Sequence, residues 1–262
     1  MKISVNAPSY KRANDVKTLS YLPFCKIWVD GKEFEDYKRN YPDADIQRCA
    51  DGVQGNLCRV RNYILRTEFE RGMDAVLIID DDLIAIERYE AEGKNGYLNK
   101  KISADEFFLF LEKYSQLCKD FGFKFWGLNC VKDQLAYKHS VPFCTTKYIG
   151  GPFQCFLKGN RCFYDEALPL KEDYDMTLQQ LNLERGCLRV NAYHYVCYQS
   201  VNVGGCASYR NRQREMEQFK LLQKKWGSQI IRVDEGNSRK NKKKEQKYQD
   251  YNPILKTPIR GI

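Results

Sequence analysis

The sequence has no Cys-x-x-Cys pair, although it holds 11 cysteines, an odd number scattered singly. Structural zinc sites usually show paired ligands, and secreted disulfide scaffolds are usually short chains. Neither is expected here; cysteines used as small core residues in a reducing compartment account for the pattern. No apolar run approaches the roughly 20 residues a membrane-spanning helix needs. The start, Met1-Lys2-Ile3-Ser4-Val5, reads as a strand and not as a signal peptide. These absences predict a cytoplasmic protein with no membrane partner. No Pro/Gly/Ser-rich linker divides the middle, so the 262 residues read as one ordinary domain with a substantial core.

A net positive charge is missing from most of the chain and concentrated at one end. From Cys187 to Ile262 there are 16 Lys/Arg against 6 Asp/Glu, whereas residues 1–186 hold 27 against 28. The net charge of +9 therefore describes one surface or tail. Arg239, Lys240, Lys242, Lys243, Lys244 and Lys247 cluster in a polar segment, 234–262, which follows a folded domain of residues 1–233. Lys/Arg groups at this density bind phosphates, with affinity that falls steeply with salt. A solvated tail that only aids solubility has the same composition.

Strand and helix patterns alternate along the domain. Lys2–Asn6 and Lys26–Val29 read as strands, and Ala75-Val76-Leu77-Ile78-Ile79 as a central parallel strand buried on both faces. Phe123–Asn129, Pro152–Leu157 and Leu188–Val196 are further strands. Asn56 is placed to cap a helix with Leu57, Val60 and Ile64 on its apolar face, ended by Gly72. Ser103 and Glu106 form a capping box ahead of a second helix. Helices are also predicted over Glu172–Arg185 and Arg210–Trp226. The fold expected is α/β, with a mostly parallel central sheet flanked by helices.

The buried strand runs straight into Asp80-Asp81-Asp82. Ligands of open parallel sheets sit beyond the carboxyl ends of the strands. Three adjacent carboxylates repel one another and call for a cation among them, and a hard divalent ion with open positions for phosphates fits. A single acid there would be read as a strand end facing solvent. Two histidines are all the chain contains. His139 lies in a polar loop and receives no role.

A strand ending in Asp-Asp-Asp resembles the Asp-x-Asp motif of GT-A-fold (Rossmann-like) glycosyltransferases, and other features follow in order. Pro8-Ser9-Tyr10-Lys11-Arg12 resembles the opening nucleotide-binding loop, and Arg61-Asn62 the Arg-Asn pair of the helix before the aspartates. Lys171-Glu172-Asp173 resembles the later x-Glu-Asp motif, and His194 falls at the place of a third metal ligand. The resemblance covers roughly residues 2 to 230. In length and layout the chain is similar to phage glycosyltransferases associated with TET-type oxygenases. That resemblance implies an acceptor of hydroxymethylated pyrimidines in double-stranded DNA, and the host cytoplasm as the setting.

The roles this implies are specific. Asp82 binds Mn2+ or Mg2+ directly, Asp80 orients the ribose or assists through water, and His194 completes the metal set. Pro8, Tyr10, Arg12, Arg61, Asp80, Asp81, Gly150 and Gly151 contact a nucleotide-diphosphate sugar, a UDP-sugar first among donors. Asp173 takes the acceptor proton, with Glu172 holding hydroxyls. Each has a plainer reading. Arg61 shares a helical stripe with Glu68 and would pair there. Acids in a helix's first turn complement its dipole, and a histidine among aromatics is often structural. Gly150-Gly151 is also an ordinary loop-to-strand turn. Phe123, Phe125 and Trp126 read as core. The remaining alternatives are a glycan, lipid-linked sugar or protein acceptor, a nucleotidyltransferase, and a non-catalytic DNA-binding protein.

Overall fold

A computed structural model describes residues 1–91, 97–133, 137–198, 205, 210–233 and 251–257. Four strands, β1 (Ile3–Pro8), β2 (Lys26–Val29), β3 (Ile46–Arg48) and β4 (Ala75–Ile79), lie in the order β3-β2-β1-β4, all parallel. Helices α1 (Lys17–Tyr21), α2 (Phe34–Asn40) and α3 (Leu57–Glu70) form the crossovers. Parallel neighbours need such connections, because a tight turn cannot return the chain to the same end of the sheet.

All five residues of β4 are buried. Ala75, Leu77 and Ile79 pack in the layer of α4 (Ala104–Asp120), with Phe107, Phe110 and Leu111. Val76 and Ile78 pack in the opposite layer with Val60 and Ile64 of α3. The unbroken apolar run thus serves two cores, as a strand covered on both faces must. Asn56 Oδ1 accepts from the N–H groups of Cys58 (2.9 Å) and Arg59 (3.4 Å), and the Ser103–Glu106 capping box opens α4. The ten described cysteines are free and seven are buried, in keeping with core use.

The sheet continues through β5 (Leu83–Ala91), β6 (Tyr97–Lys101), β7 (Phe125–Asn129), β8 (Phe143–Cys144), β9 (Phe153–Leu157) and β10 (Leu188–Cys197). Its order is β3-β2-β1-β4-β9-β7-β10-β5-β6, with β8 on β10. Seven of the ten strands run in one direction; β5, β8 and β9 oppose them. The expected α/β fold with a mostly parallel sheet is present, but it carries an antiparallel strand, β9, between β4 and β7. Pairing β4 directly to β9 brings the loop before β9, with Gly150 and Gly151, to the end of β4 where the aspartates sit.

Beyond the sheet, α5 (Glu172–Leu183) packs against α6 (Arg212–Trp226) and a two-stranded ribbon of β11 (Ile231–Val233) and β12 (Pro253–Leu255). Leu168, Leu178, Phe219, Leu222 and Ile231 form the small core between them. Among the described residues no helix is long and apolar enough to cross a membrane.

Glu68 does not pair with Arg61. Its buried carboxylate takes Lys26 Nζ and Arg71 Nη1, each at 2.7 Å. Burial works to raise this carboxyl, but hydrogen bonds from Lys26, Ser4 and Arg71 outweigh it and hold it below its ordinary value. Its stabilisation is therefore complete above the unfolded-state pKa near 4.3 and is lost as pH falls through the lower folded-state value. Glu68→Gln should lower unfolding free energy by about 1.5–3 kcal/mol at pH 7. In urea titrations the gap to wild type should narrow at pH 3; a gap of constant size would contradict this account.

Candidate active site

The aspartate turn is held by its backbone, leaving the carboxylates free to be aimed. Thr18 Oγ1 donates to the Asp80 carbonyl (2.7 Å), the Thr18 N–H to that of Asp81 (3.0 Å), and the Tyr198 N–H to that of Asp82 (2.9 Å). Thr18 enters from α1 and Tyr198 follows the end of β10, so two distant segments fix one turn.

The three carboxylates have different surroundings. Asp81 is buried and neutralised: Ser9 Oγ donates to its Oδ2 (2.6 Å) and Arg12 Nη1 to its Oδ1. Burial pushes the Asp81 carboxyl up to about 6 against the pull of Arg12. Burial also opposes the Arg12 charge, but Asp81 outweighs it and the guanidinium is held more firmly protonated. Tyr37 steadies this corner, with its hydroxyl 2.9 Å from Ser9 Oγ and accepting from the Arg12 N–H (3.1 Å). Asp82 lies 3.9 Å from Arg12, and its Oδ1 is buried with no hydrogen-bond partner. Burial, then repulsion from Asp80 and Asp81, raise the Asp82 carboxyl well above the usual range. Asp80 is the most open, with a third of its side chain exposed.

Arg61 joins these acids to a second pair. Its guanidinium is buried, with Nη2 donating to Asp80 Oδ1 (2.8 Å) and the Gly151 carbonyl (3.2 Å), and Nη1 to Glu172 Oε1 (3.4 Å). The Tyr164 ring lies 5.5 Å away. The Gly151 N–H donates to Asp173 Oδ2 (3.2 Å), which also accepts from the Tyr148 hydroxyl. Burial and the adjacent Asp173 raise the Glu172 carboxyl, opposed by Arg61. Asp80, Glu172 and Asp173, up to 93 positions apart in sequence, thus share one network through Arg61 and Gly151.

The glycines have packing reasons of their own. A Cβ on Gly150 would fall 2.2 Å from the Tyr195 hydroxyl, and one on Gly151 would press on Arg61 Nη1 (3.3 Å) and Glu172 Oε1 (3.4 Å). Pro8 is the last residue of β1, directly before Ser9. Tyr10 is half-buried, with Lys11 Nζ 5.0 Å from its ring and its carbonyl accepting from the Gly205 N–H (3.0 Å).

His194 is not brought to the aspartates. Its ring is buried in β10 with Nε2 3.4 Å from Glu87 Oε2, against the Tyr89 ring at 4.9 Å. The β10 residue beside Asp82 is Cys197, whose nearby thiol works to lower the Asp82 pKa against burial and the neighbouring carboxylates. Adjacent strand residues point to opposite faces, so an offset of three positions turns His194 away. Burial lowers the His194 pKa and favours neutral imidazole. Among the described residues no group of three or more His, Cys, Asp or Glu is arranged to hold an ion by itself. The partnerless Asp82 Oδ1 beside the more open Asp80 does suit a hard divalent ion that draws its other ligands from phosphates and water. Arg239, Lys240, Lys242, Lys243, Lys244 and Lys247 lie outside the described residues.

Sequence reading passed over Ser9, Thr18, Tyr37, Tyr148, Tyr164 and Cys197. Only Ser9 carried a signal, as part of the loop after β1; the rest arrive from segments with no motif.

The fold and site define a class: an α/β protein with an acidic turn and two arginines at the carboxyl end of its central strand, where such sheets bind phosphate-bearing ligands. The chain belongs to the TET-associated glycosyltransferase family, whose sequence model matches residues 3–205, and it is a glycosyltransferase. The match contains every assigned residue except the basic cluster. No curated protein matches the sequence. Among solved structures the chain is similar to A197 from STIV, at 10% identity and a TM-score of 0.40 over 78% of this chain and 89% of that one.

Proposed function

We propose that the protein is a GT-A-type enzyme that moves a sugar from a nucleotide diphosphate, UDP foremost, to the hydroxyl of 5-hydroxymethylpyrimidines in phage DNA. The observation that carries the reading is the Arg61 network, which joins the aspartate turn to Glu172 and Asp173. That link between acids suited to an ion-bound diphosphate and a carboxylate suited to take a proton supports a group transfer between two oxygens. The parallel β3-β2-β1-β4 order, with acids at the end of β4, supports the GT-A assignment.

A divalent ion, Mn2+ or Mg2+, held by Asp82 with Asp80 beside it would supply Lewis-acid stabilisation of the departing diphosphate. Arg12, pinned by Asp81, adds fixed positive charge at the same edge. Pro8, Tyr10, Gly150 and Gly151 line the donor's approach. Asp173 accepts the proton of the acceptor hydroxyl as its oxygen bonds to the anomeric carbon. Glu172 holds Arg61 and, through it, the spacing between donor and acceptor halves. The acceptor class rests on the family and on the basic last third of the chain. Unmodified pyrimidine bases offer no aliphatic hydroxyl, whereas a 5-hydroxymethyl group projects into the major groove and is reachable with or without base flipping.

The test is transfer of labelled sugar from a panel of nucleotide-sugars to matched duplexes with and without 5-hydroxymethylcytosine or 5-hydroxymethyluracil. Labelling of modified duplexes alone is expected. Binding should weaken as salt rises, and deletion of residues 240–247 should make that dependence shallower. Labelling of a glycan with no labelling of any modified duplex would overturn the DNA acceptor and leave the glycosyltransferase intact. Equal labelling of unmodified DNA would overturn the hydroxyl argument.

A further inference from the structure

The family match ends at residue 205, yet the part of the chain beyond it is wired to the start of α5. Lys171, immediately before Glu172, is buried and sends its Nζ away from the site. There it meets Glu215 Oε2 of α6 at 2.5 Å and Asn252 Oδ1, just before β12, at 3.5 Å. On the other side of the acidic pair, Asp175 takes Trp226 Nε1 (2.7 Å) and Lys225 Nζ (2.9 Å), both from the end of α6. Gln218 accepts from the Leu170 N–H (3.4 Å) and donates to the Ala167 carbonyl (2.9 Å). Glu172 and Asp173 therefore sit between two sets of bonds to α6, with Arg61, Gly151 and Tyr148 on their far side.

A buried ion pair is poor value as stabilisation, because desolvation offsets most of the attraction and apolar residues of similar size often serve better. The small apolar core around Leu168, Leu178, Phe219 and Leu222 already provides cohesion here. What Lys171–Glu215 adds is direction: it fixes the backbone at one position, one residue before Glu172.

We propose that α6 with the β11–β12 ribbon is a clamp that positions Glu172 and Asp173 for transfer, and that Lys171 and Glu215 are its positioning residues. The proposal rests on Asp173 being the proton acceptor. A displacement of about 1 Å at a reacting group can cost on the order of 10²-fold in rate, so the clamp is read out in turnover and not in donor binding.

The experiment measures kcat and donor KM for Glu215→Gln, for the double variant Lys171→Met/Glu215→Met, and for each combined with Asp173→Asn, on whichever acceptor the wild type labels. Glu215→Gln should lose about tenfold or more in kcat with donor KM within about twofold. The apolar double variant, free of the desolvation cost, should melt at or above the wild-type temperature and still be slow, which separates positioning from folding. With Asp173→Asn in place, neither change should cost a further fraction of kcat. Wild-type kcat in the stable double variant would overturn the clamp, as would an undiminished effect on top of Asp173→Asn. Wild-type turnover in Asp173→Asn alone would instead overturn the proton-acceptor reading, and the clamp with it.

Discussion

Asp82→Ala should reduce sugar transfer by about 10³-fold or more while leaving the protein folded and at least as stable as wild type. The two halves of this expectation have one cause. Asp82 Oδ1 is buried without a partner, beside two further carboxylates, and burial with that repulsion raises its pKa. An unsatisfied buried polar atom costs about 1–3 kcal/mol, so removing it relieves the fold. Arg12 keeps Asp81 as counterion, and Thr18 and Tyr198 keep the backbone of the turn. A group retained against stability is explained by function. Losing a direct ion ligand forfeits several kcal/mol of transition-state stabilisation, and each 1.36 kcal/mol is tenfold in rate. Chelation of the wild type should mimic the variant, and added Mn2+ or Mg2+ should restore it. Thermal melting without added metal, beside a transfer assay, checks both halves. A variant with full activity, or one that is inactive because it is unfolded, would contradict the assignment.

Asp173→Asn is expected to lower kcat by about 10²–10⁴-fold with little change in donor affinity. An amide with its oxygen in the Oδ2 position still accepts from the Gly151 N–H and the Tyr148 hydroxyl, so the loop before β9 stays in place. It gives up only the bond that Oδ1 accepts from the Tyr174 N–H at the helix start. What it cannot do is take a proton. Single-turnover transfer separates the chemical step from donor binding. If Asp173→Asn turns over at the wild-type rate, Asp173 is a helix-end acceptor and nothing more.

Features governed by local rules were legible before the fold was known. Asn56, Ser103 with Glu106, and the five apolar residues of β4 each reflect a rule that acts within one turn of helix or one strand. The order of aspartate turn, Arg61 and Lys171-Glu172-Asp173 was legible as a family pattern. That Arg61 reaches Asp80 and not Glu68 was not, because a helical stripe allows both, and only the packing of α3 against β4 aims the guanidinium at the strand end. The β5–β6 pairing escaped because Leu83–Ala91 mixes apolar, acidic and basic residues without strict alternation. The antiparallel course of β9 escaped because a short apolar run carries no direction. His194 shows the limit of reading position by analogy: three residues along β10 separate it from Cys197, and the pleat sends it to Glu87. Tyr148 and Lys171 become informative only when the loop before β9 and α6 close on α5.

The central claim is that the aspartate turn holds the donor's diphosphate with a divalent ion. Calorimetric titration with UDP and the other nucleoside diphosphates tests it most directly, using wild type and Asp82→Ala, each with Mn2+ and with chelator. The account predicts that one nucleotide binds wild type with Mn2+, and that its affinity falls at least about tenfold on chelation or in Asp82→Ala with Mn2+ present. Equal affinity in all four titrations would contradict it.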